Sequence, residues 1–212
     1  LLAPTRTTAQ LPNQMLRVYP IRKDYLDDQI SSFPLTIVSH RLGQVFSIKP
    51  GSETPAPEEW NERMPYDHEL EITRPWYYST YLLRDGITVE FTPGAKTGYY
   101  RFDFPAGKTK SLLLSAFNNG TSSWHFLSSS KLEGMETWHG DIKIYMYGEF
   151  NTAGNTGILT NGHTNEGAQV AGSFAKAFIR FSADTKQVEL KYAISFISAE
   201  QAKRNFNDEI RG

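Results

Sequence analysis

The 212-residue chain contains no cysteine, so it has no disulfide framework, no thiolate metal site and no thiol nucleophile. Core burial alone must hold the fold, and a domain of this length buries roughly 70% of the surface its unfolded chain exposes. The formal net charge of -1 supplies no long-range field, which argues against nucleic acid and acidic membrane as default partners. No run approaches the ~20 consecutive apolar residues of a membrane-spanning helix. The opening Leu1-Leu2-Ala3-Pro4 has neither an initiator Met nor a basic n-region. The chain therefore reads as a stretch of a longer protein, with any signal peptide already removed. Catalytic signatures are missing as well: there is no G-x-S-x-G elbow, phosphate loop or dinucleotide fingerprint. Asp27-Asp28 and Glu58-Glu59 read as solvated charge, and His40, His68, His125, His139 and His163 lack metal-ligand spacing. No catalytic residue and no metal ligand is assigned to this chain.

What the sequence does hold is aromatic residues in strand-like runs, such as Trp76-Tyr77-Tyr78 and Tyr99-Tyr100-Arg101-Phe102. Apolar residues alternate along Ile87-Val89-Phe91, Tyr100-Phe102-Phe104, Ile142-Ile144-Met146, Ala175-Ala177-Ile179-Phe181 and Val188-Leu190-Tyr192-Ile194-Phe196. That period puts each row on one face of a strand and predicts that Ile144, Ile179 and Ile194 are buried. Turn chemistry at Asp85-Gly86, Pro93-Gly94, Pro105-Ala106-Gly107 and Asn118-Asn119-Gly120 separates closely spaced strands. The expected architecture is all-β, an antiparallel two-sheet β-sandwich over residues 1–197.

Two stretches depart from the alternation: Lys49 to Met64 is expected to be a surface excursion and Asn151 to Gly172 a long loop. From Ser198 the period changes. Ser198 and Gln201 form a capping-box pattern, and Ala202, Phe206 and Ile210 recur every fourth residue. Residues 198–212 are thus expected to form an amphipathic helix leading toward a second, helical domain outside this sequence, which would cover its apolar stripe.

Polar density in Arg22-Lys23-Asp24-Tyr25, together with His40 and Arg41 after a strand, suits recognition of sugar hydroxyls. Trp60, in a polar loop, is the candidate stacking face, whereas Trp76 reads as core. The candidate substrate-binding set is therefore Arg22, Asp24, Tyr25, His40, Arg41 and Trp60, with the Arg22 and His40 segments expected on one side of the sandwich.

The segments from Asn13 to Tyr25, Val38 to Arg41, Asp85 to Thr92, Gly98 to Pro105 and Ile194 to Asn205, in that order, resemble the N-terminal domain of family 92 glycoside hydrolases, which are exo-acting α-mannosidases. The resemblance implies a β-sandwich preceding a helical barrel that carries the catalytic acid and base. It also implies an α-mannoside bound with calcium at the seam between the domains, in a periplasmic or secreted enzyme or a cell-surface lipoprotein. In this chain Arg41-Leu42-Gly43 follows His40, where the family has a second histidine and a glycine-containing turn. The expected function is a non-catalytic sandwich domain of a mannosidase-like enzyme that helps shape the sugar pocket and binds no calcium by itself. Its rivals are a stand-alone carbohydrate-binding module and a purely structural domain.

Overall fold

Apolar alternation decides the architecture, since each alternating row needs a second row to cover it. The computed structural model describes residues 15–16, 18–24, 26–37, 43–106 and 110–211. In chain order the strands are β1 (Gln29–Ile30), β2 (Phe33–Ile37), β3 (Gln44–Gly51), β4 (Met64–Pro65), β5 (Ile72–Arg74), β6 (Tyr77–Leu82), β7 (Ile87–Pro93), β8 (Thr97–Asp103) and β9 (Lys110–Ser115). They continue with β10 (Ser122–Ser128), β11 (Lys131–Trp138), β12 (Ile142–Phe150), β13 (Asn155–Thr160), β14 (His163–Glu166), β15 (Gln169–Gly172), β16 (Lys176–Phe181) and β17 (Gln187–Ser195), and one helix follows, α1 (Ala199–Phe206). A nine-stranded sheet, β15-β10-β11-β12-β17-β8-β7-β6-β5, faces a six-stranded sheet, β14-β13-β16-β9-β3-β2, and β1 pairs with β4 as a small ribbon. All strand pairs are antiparallel.

The facing rows are Val89, Phe91, Tyr100, Phe102, Ile144, Met146, Leu190 and Ile194 from the large sheet, against Phe33, Leu35, Val45, Ile48, Leu112, Leu114, Ile179 and Phe181 from the small one. Each such side chain contributes about 1.5–3 kcal/mol when fully buried. Polar tips then fix how the sheets sit on each other. The Tyr100 hydroxyl donates to the Pro34 carbonyl at 2.8 Å, the Tyr192 hydroxyl to the Leu35 carbonyl at 2.5 Å, and Trp124 Nε1 to the Ala175 carbonyl at 3.1 Å. Gly98 makes the Tyr192 position possible, because a Cβ there would lie 2.5 Å from the ring.

Both outer faces are partly covered. On the large sheet, α1 lays Ala202 and Phe206 on Tyr147 and Ala193, with Ile210 packed alongside. The helix stripe is thus covered by this domain's own sheet. Ser198 Oγ accepts the Gln201 N–H at 3.1 Å as the N-cap pattern predicts, but the Gln201 amide donates to Asn205 Oδ1 instead of closing the box. Asn205 in turn donates to the Ile194 carbonyl at 2.9 Å, tying helix to strand. On the small sheet, a 3-10 turn at Pro57–Trp60 places Trp60 against Leu113 and Phe178. The Lys49 to Met64 excursion is therefore anchored at its centre.

The stretch from Asn151 to Gly172 is not a long loop. It forms β13, β14 and β15 around an Asn161-Gly162 turn, in which both residues have positive φ, 51° and 75°. β14 and β15 are edge strands with mostly polar side chains and β13 lies just inside β14, so no alternation marks them. Ile142 likewise leaves its row, being 44% exposed at a turn, and Phe196 is 42% exposed beyond the end of β17. Ile144, Ile179 and Ile194 are each fully buried, as their rows predict. Truncating any of them to Ala is expected to cost about 2–5 kcal/mol in denaturant unfolding. An unchanged midpoint for all three would contradict this core.

Candidate functional site

Arg22 lies in a polar cluster, with its buried Nε left without a hydrogen-bond partner. Its guanidinium pairs with Glu71 and sits over the Tyr66 ring, 4.7 Å from the centroid. Glu71 also accepts from the Tyr78 hydroxyl at 2.8 Å, and Tyr66 donates to the Asp27 carbonyl while touching the His68 ring nitrogens. Asp24 caps a local turn, accepting the Leu26 N–H at 2.9 Å. These groups anchor the segment that bridges Ile21 to Ser32, just before β2 begins. Tyr25, His40 and Arg41 lie outside the described residues. Trp60 offers no stacking face: it is 7% exposed, and its indole N–H donates to the Leu114 carbonyl at 3.1 Å. Trp76, expected in the core, is instead 56% exposed in the β5–β6 turn. A tryptophan before a tyrosine pair looks like core, but this one falls in the turn, outside the strand's inward row.

Because every pairing is antiparallel, the connections gather at two ends. At one end lie the β2–β3, β5–β6, β7–β8, β11–β12 and β13–β14 turns, the β9–β10 and β15–β16 links and the β17–α1 junction. This end carries Trp76, Phe117, Ile142, Phe174, Phe196 and Ile197, all exposed. Phe117 and Phe174 occupy neighbouring strand ends, since the Ala116 N–H donates to the Ala175 carbonyl at 2.9 Å. His139 stacks edge-on against Trp138 in the β11–β12 turn. Backbone strain gathers here too. Phe46, His139 and Phe174 have φ of 52°, 42° and 53°, each costing about 1–2 kcal/mol for a residue with a Cβ.

Beneath this end sits Glu136, a carboxylate with no exposed surface on the inward row of β11. It accepts from the Phe46 N–H at 2.7 Å, the Phe117 N–H at 2.6 Å, the Asn118 N–H and the Asn118 amide at 2.8 Å. Burial raises its carboxyl above the usual 4.5, against the pull of these donors. The sequence signal for it was available: a glutamate in the apolar phase of Leu132-Gly134-Glu136.

The opposite end holds a cavity of about 650 Å³ between the excursion after β3, the β6–β7 turn and the start of β9. Lys49, buried at its edge, donates to the Glu59 and Glu62 carbonyls at 2.8 and 2.5 Å. Burial lowers its ammonium from 10.5 to about 8.

The sequence matches the glycosyl hydrolase family 92 N-terminal domain over residues 3–195. This chain belongs to that family. Among solved structures, it superposes on a family GH92 inverting mannosidase from Bacteroides thetaiotaomicron with a TM-score of 0.85 and 21% identity, covering 96% of this chain and 30% of that one. A GH92 α-mannosidase from the same organism, in complex with mannoimidazole, gives 0.83 and 20%, covering 95% and 32%. A further GH92 glycosyl hydrolase gives 0.84 and 21%, covering 96% and 32%. The family 92 N-terminal domain described here thus spans about a third of the length of these proteins. No curated protein matches the sequence.

Among the described residues no three His, Asp or Glu side chains gather in a way that could hold a metal ion. The calcium that the family implies therefore finds no set of side-chain ligands among them. What the strained end can do is present fixed apolar and aromatic side chains.

Two outcomes test these assignments. Glu136→Gln puts an amide N–H against N–H donors and is expected to cost about 1.5–3 kcal/mol in chemical denaturation, the value of hydrogen bonds to a charged group. A loss within error would mean the carboxylate does not hold the two sheets. For Lys49 the folded value lies below the unfolded one, so between about pH 8 and 10 the unfolded chain binds more protons and stability rises with pH. Above about pH 10 the buried Tyr100 and Tyr192, pushed well above their usual 10.0, reverse the trend. Lys49→Met should flatten the rise, and an unchanged pH profile would refute the assignment.

Proposed function

We propose that this domain is the non-catalytic N-terminal wall of an exported α-mannosidase, and that its strained, apolar end seats against a helical catalytic domain beside the sugar pocket. The observation that carries this reading is the concentration of Trp76, Phe117, Ile142, Phe174, Phe196 and Ile197 at one end of the sandwich. Exposed apolar surface gathered at one place marks interaction sites, and this end holds six of the twelve large apolar side chains exposed among the described residues. Family membership supports a glycoside-hydrolase setting, and the solved relatives, roughly three times as long, include proteins described as mannosidases. In this reading the acid and base come from the other domain. This chain excludes water from the seam and orients an α-mannoside through polar side chains at its rim. Calcium belongs to the complete enzyme, and the setting is periplasmic or secreted, which a chain without cysteine accommodates.

One observation favours the rival reading of a self-standing carbohydrate-binding module: the α1 stripe is already covered by Tyr147 and Ala193. A substitution at the exposed end separates the two. Ile197 is 75% exposed, so Ile197→Asp should leave the stability of the isolated domain within about 0.5 kcal/mol. In the complete enzyme the same change should lower kcat/KM for an α-mannoside on the order of tenfold or more, because it buries an unpaired charge in the seam. The isolated domain should release no mannose from the same substrate. Full activity of the Ile197→Asp enzyme, or turnover by the isolated domain, would overturn the reading.

A further inference from the structure

We infer that the cavity at the opposite end of the sandwich is a second carbohydrate site, taking a short neutral oligosaccharide remote from the apolar end. Its volume of about 650 Å³ falls within the range of about 300–1,000 Å³ typical of pockets that enclose ligands of disaccharide size. Ile87, Phe104, Pro50 and Pro105 supply apolar surface for the C–H faces of a sugar ring, and Arg84, Asp85, Glu62 and Lys49 supply charged donors and acceptors around it. Acidic groups (Glu53, Glu59, Glu62, Asp85) and basic ones (Lys49, Arg84, Lys110) share the wall in near balance, so neither a simple anion nor a simple cation is favoured. Hydroxyls, which both donate and accept, match such a lining.

The two lysines of the wall are placed for this use. Lys49 donates to the Glu59 and Glu62 carbonyls, and Lys110 donates to the Ala183 and Thr185 carbonyls at 3.0 and 2.9 Å. Each ammonium has three N–H groups and spends two on backbone, which leaves a third for an incoming oxygen. Arg84 forms the open side of the site, being about half exposed and shared between Glu62 at 3.2 Å and Asp85 at 3.3 Å. Glu59 is not available, because it already accepts from the Ser52 N–H, the Ser52 hydroxyl and the Ala56 N–H. The excursion from Lys49 to Met64 thereby gains a role its polar sequence does not announce: anchored by Trp60 and braced by Glu59, it holds one wall of the cavity.

The test is titration of the 212-residue chain with α-mannotriose and with cellotriose, followed by calorimetry and by chemical-shift changes. Saturable binding of at least one sugar is expected, with shifts at Ser52, Arg84 and Ile87. Arg84→Ala and Glu62→Gln, both at exposed positions, should weaken it about tenfold or more, as loss of a charge-assisted hydrogen bond does. Trp76→Ala, at the far end, should leave it unchanged. No saturable binding of either sugar at tens of millimolar would overturn the proposal. So would binding lost in Trp76→Ala but kept in Arg84→Ala, an outcome that leaves the seam reading intact.

Discussion

Glu136 is the constraint around which the apolar end is organised. A carboxylate without exposed surface survives in a core only if hydrogen bonds replace its water, and here four N–H donors from two separate elements converge on it. One is the N–H of Phe46, whose positive φ lets β3 turn this donor inward while its ring packs 5.2 Å from the Trp124 ring. The others come from Phe117 and Asn118, where β9 hands over to β10. The Asn118 amide then reaches the Gln44 carbonyl at 2.9 Å, closing a loop between the β2–β3 hairpin and the β9–β10 link. The hydrogen bonds converging on Glu136 thus offset both the strain at Phe46 and the desolvation of the carboxylate.

The two ends of the sandwich solve the same problem in opposite ways. At the cavity end, charged groups are paired or bonded to backbone: Arg84 with Glu62 and Asp85, Lys49 and Lys110 with carbonyls. That end is polar, wet and self-consistent. At the other end Trp76, Phe117, Phe174 and Ile197 stand in water, a hydrophobic cost that nothing within the described residues recovers. Scattered exposed apolar residues are ordinary, and others such as Leu83 and Leu127 stand elsewhere on the surface, but six large ones share this end. Strain at Phe174 belongs with this pattern, because a non-glycine residue held at positive φ persists where its surroundings over-determine it.

Much of the fold was legible in the sequence because both faces of a sandwich strand are chemically distinct. Val188, Leu190, Tyr192 and Ile194 announce their strand, and Ser198 announces the start of the helix. Legibility failed where a strand has no buried face, as in β14 and β15, and where a side chain's environment depends on a remote partner. Trp60 and Trp76 show the second case, since local polarity suggested an exposed Trp60 and a buried Trp76. Tertiary packing reversed both, because Leu113 and Phe178 come from far along the chain to cover the first. The site was less legible still. Arg22 and Asp24 looked like ligand groups, yet Arg22 answers Glu71 and Asp24 answers a local N–H. Fixed exposed residues such as Phe174 and Ile197 carry no local motif at all.

A raised carboxyl is commonly the mark of a general acid, and the same observation here supports the opposite reading. A catalytic carboxyl must face a space that a reacting atom can enter, and its shift is useful only because a proton can leave through that space. Glu136 meets the first criterion, a burial-driven rise, and fails the second, because its two oxygens are occupied by N–H donors from β3 and the β9–β10 link. Nearer the surface, Glu90 accepts from Tyr77 and pairs with Arg101, and Glu149 accepts from Tyr147 and pairs with Arg211. Hydrogen bonds from Tyr147 and Arg211 hold the Glu149 carboxyl below its usual value, which suits bracing a sheet face rather than donating a proton. Glu136 is thus a bracing carboxylate, whose burial is offset by the donors it ties together beneath the exposed apolar end.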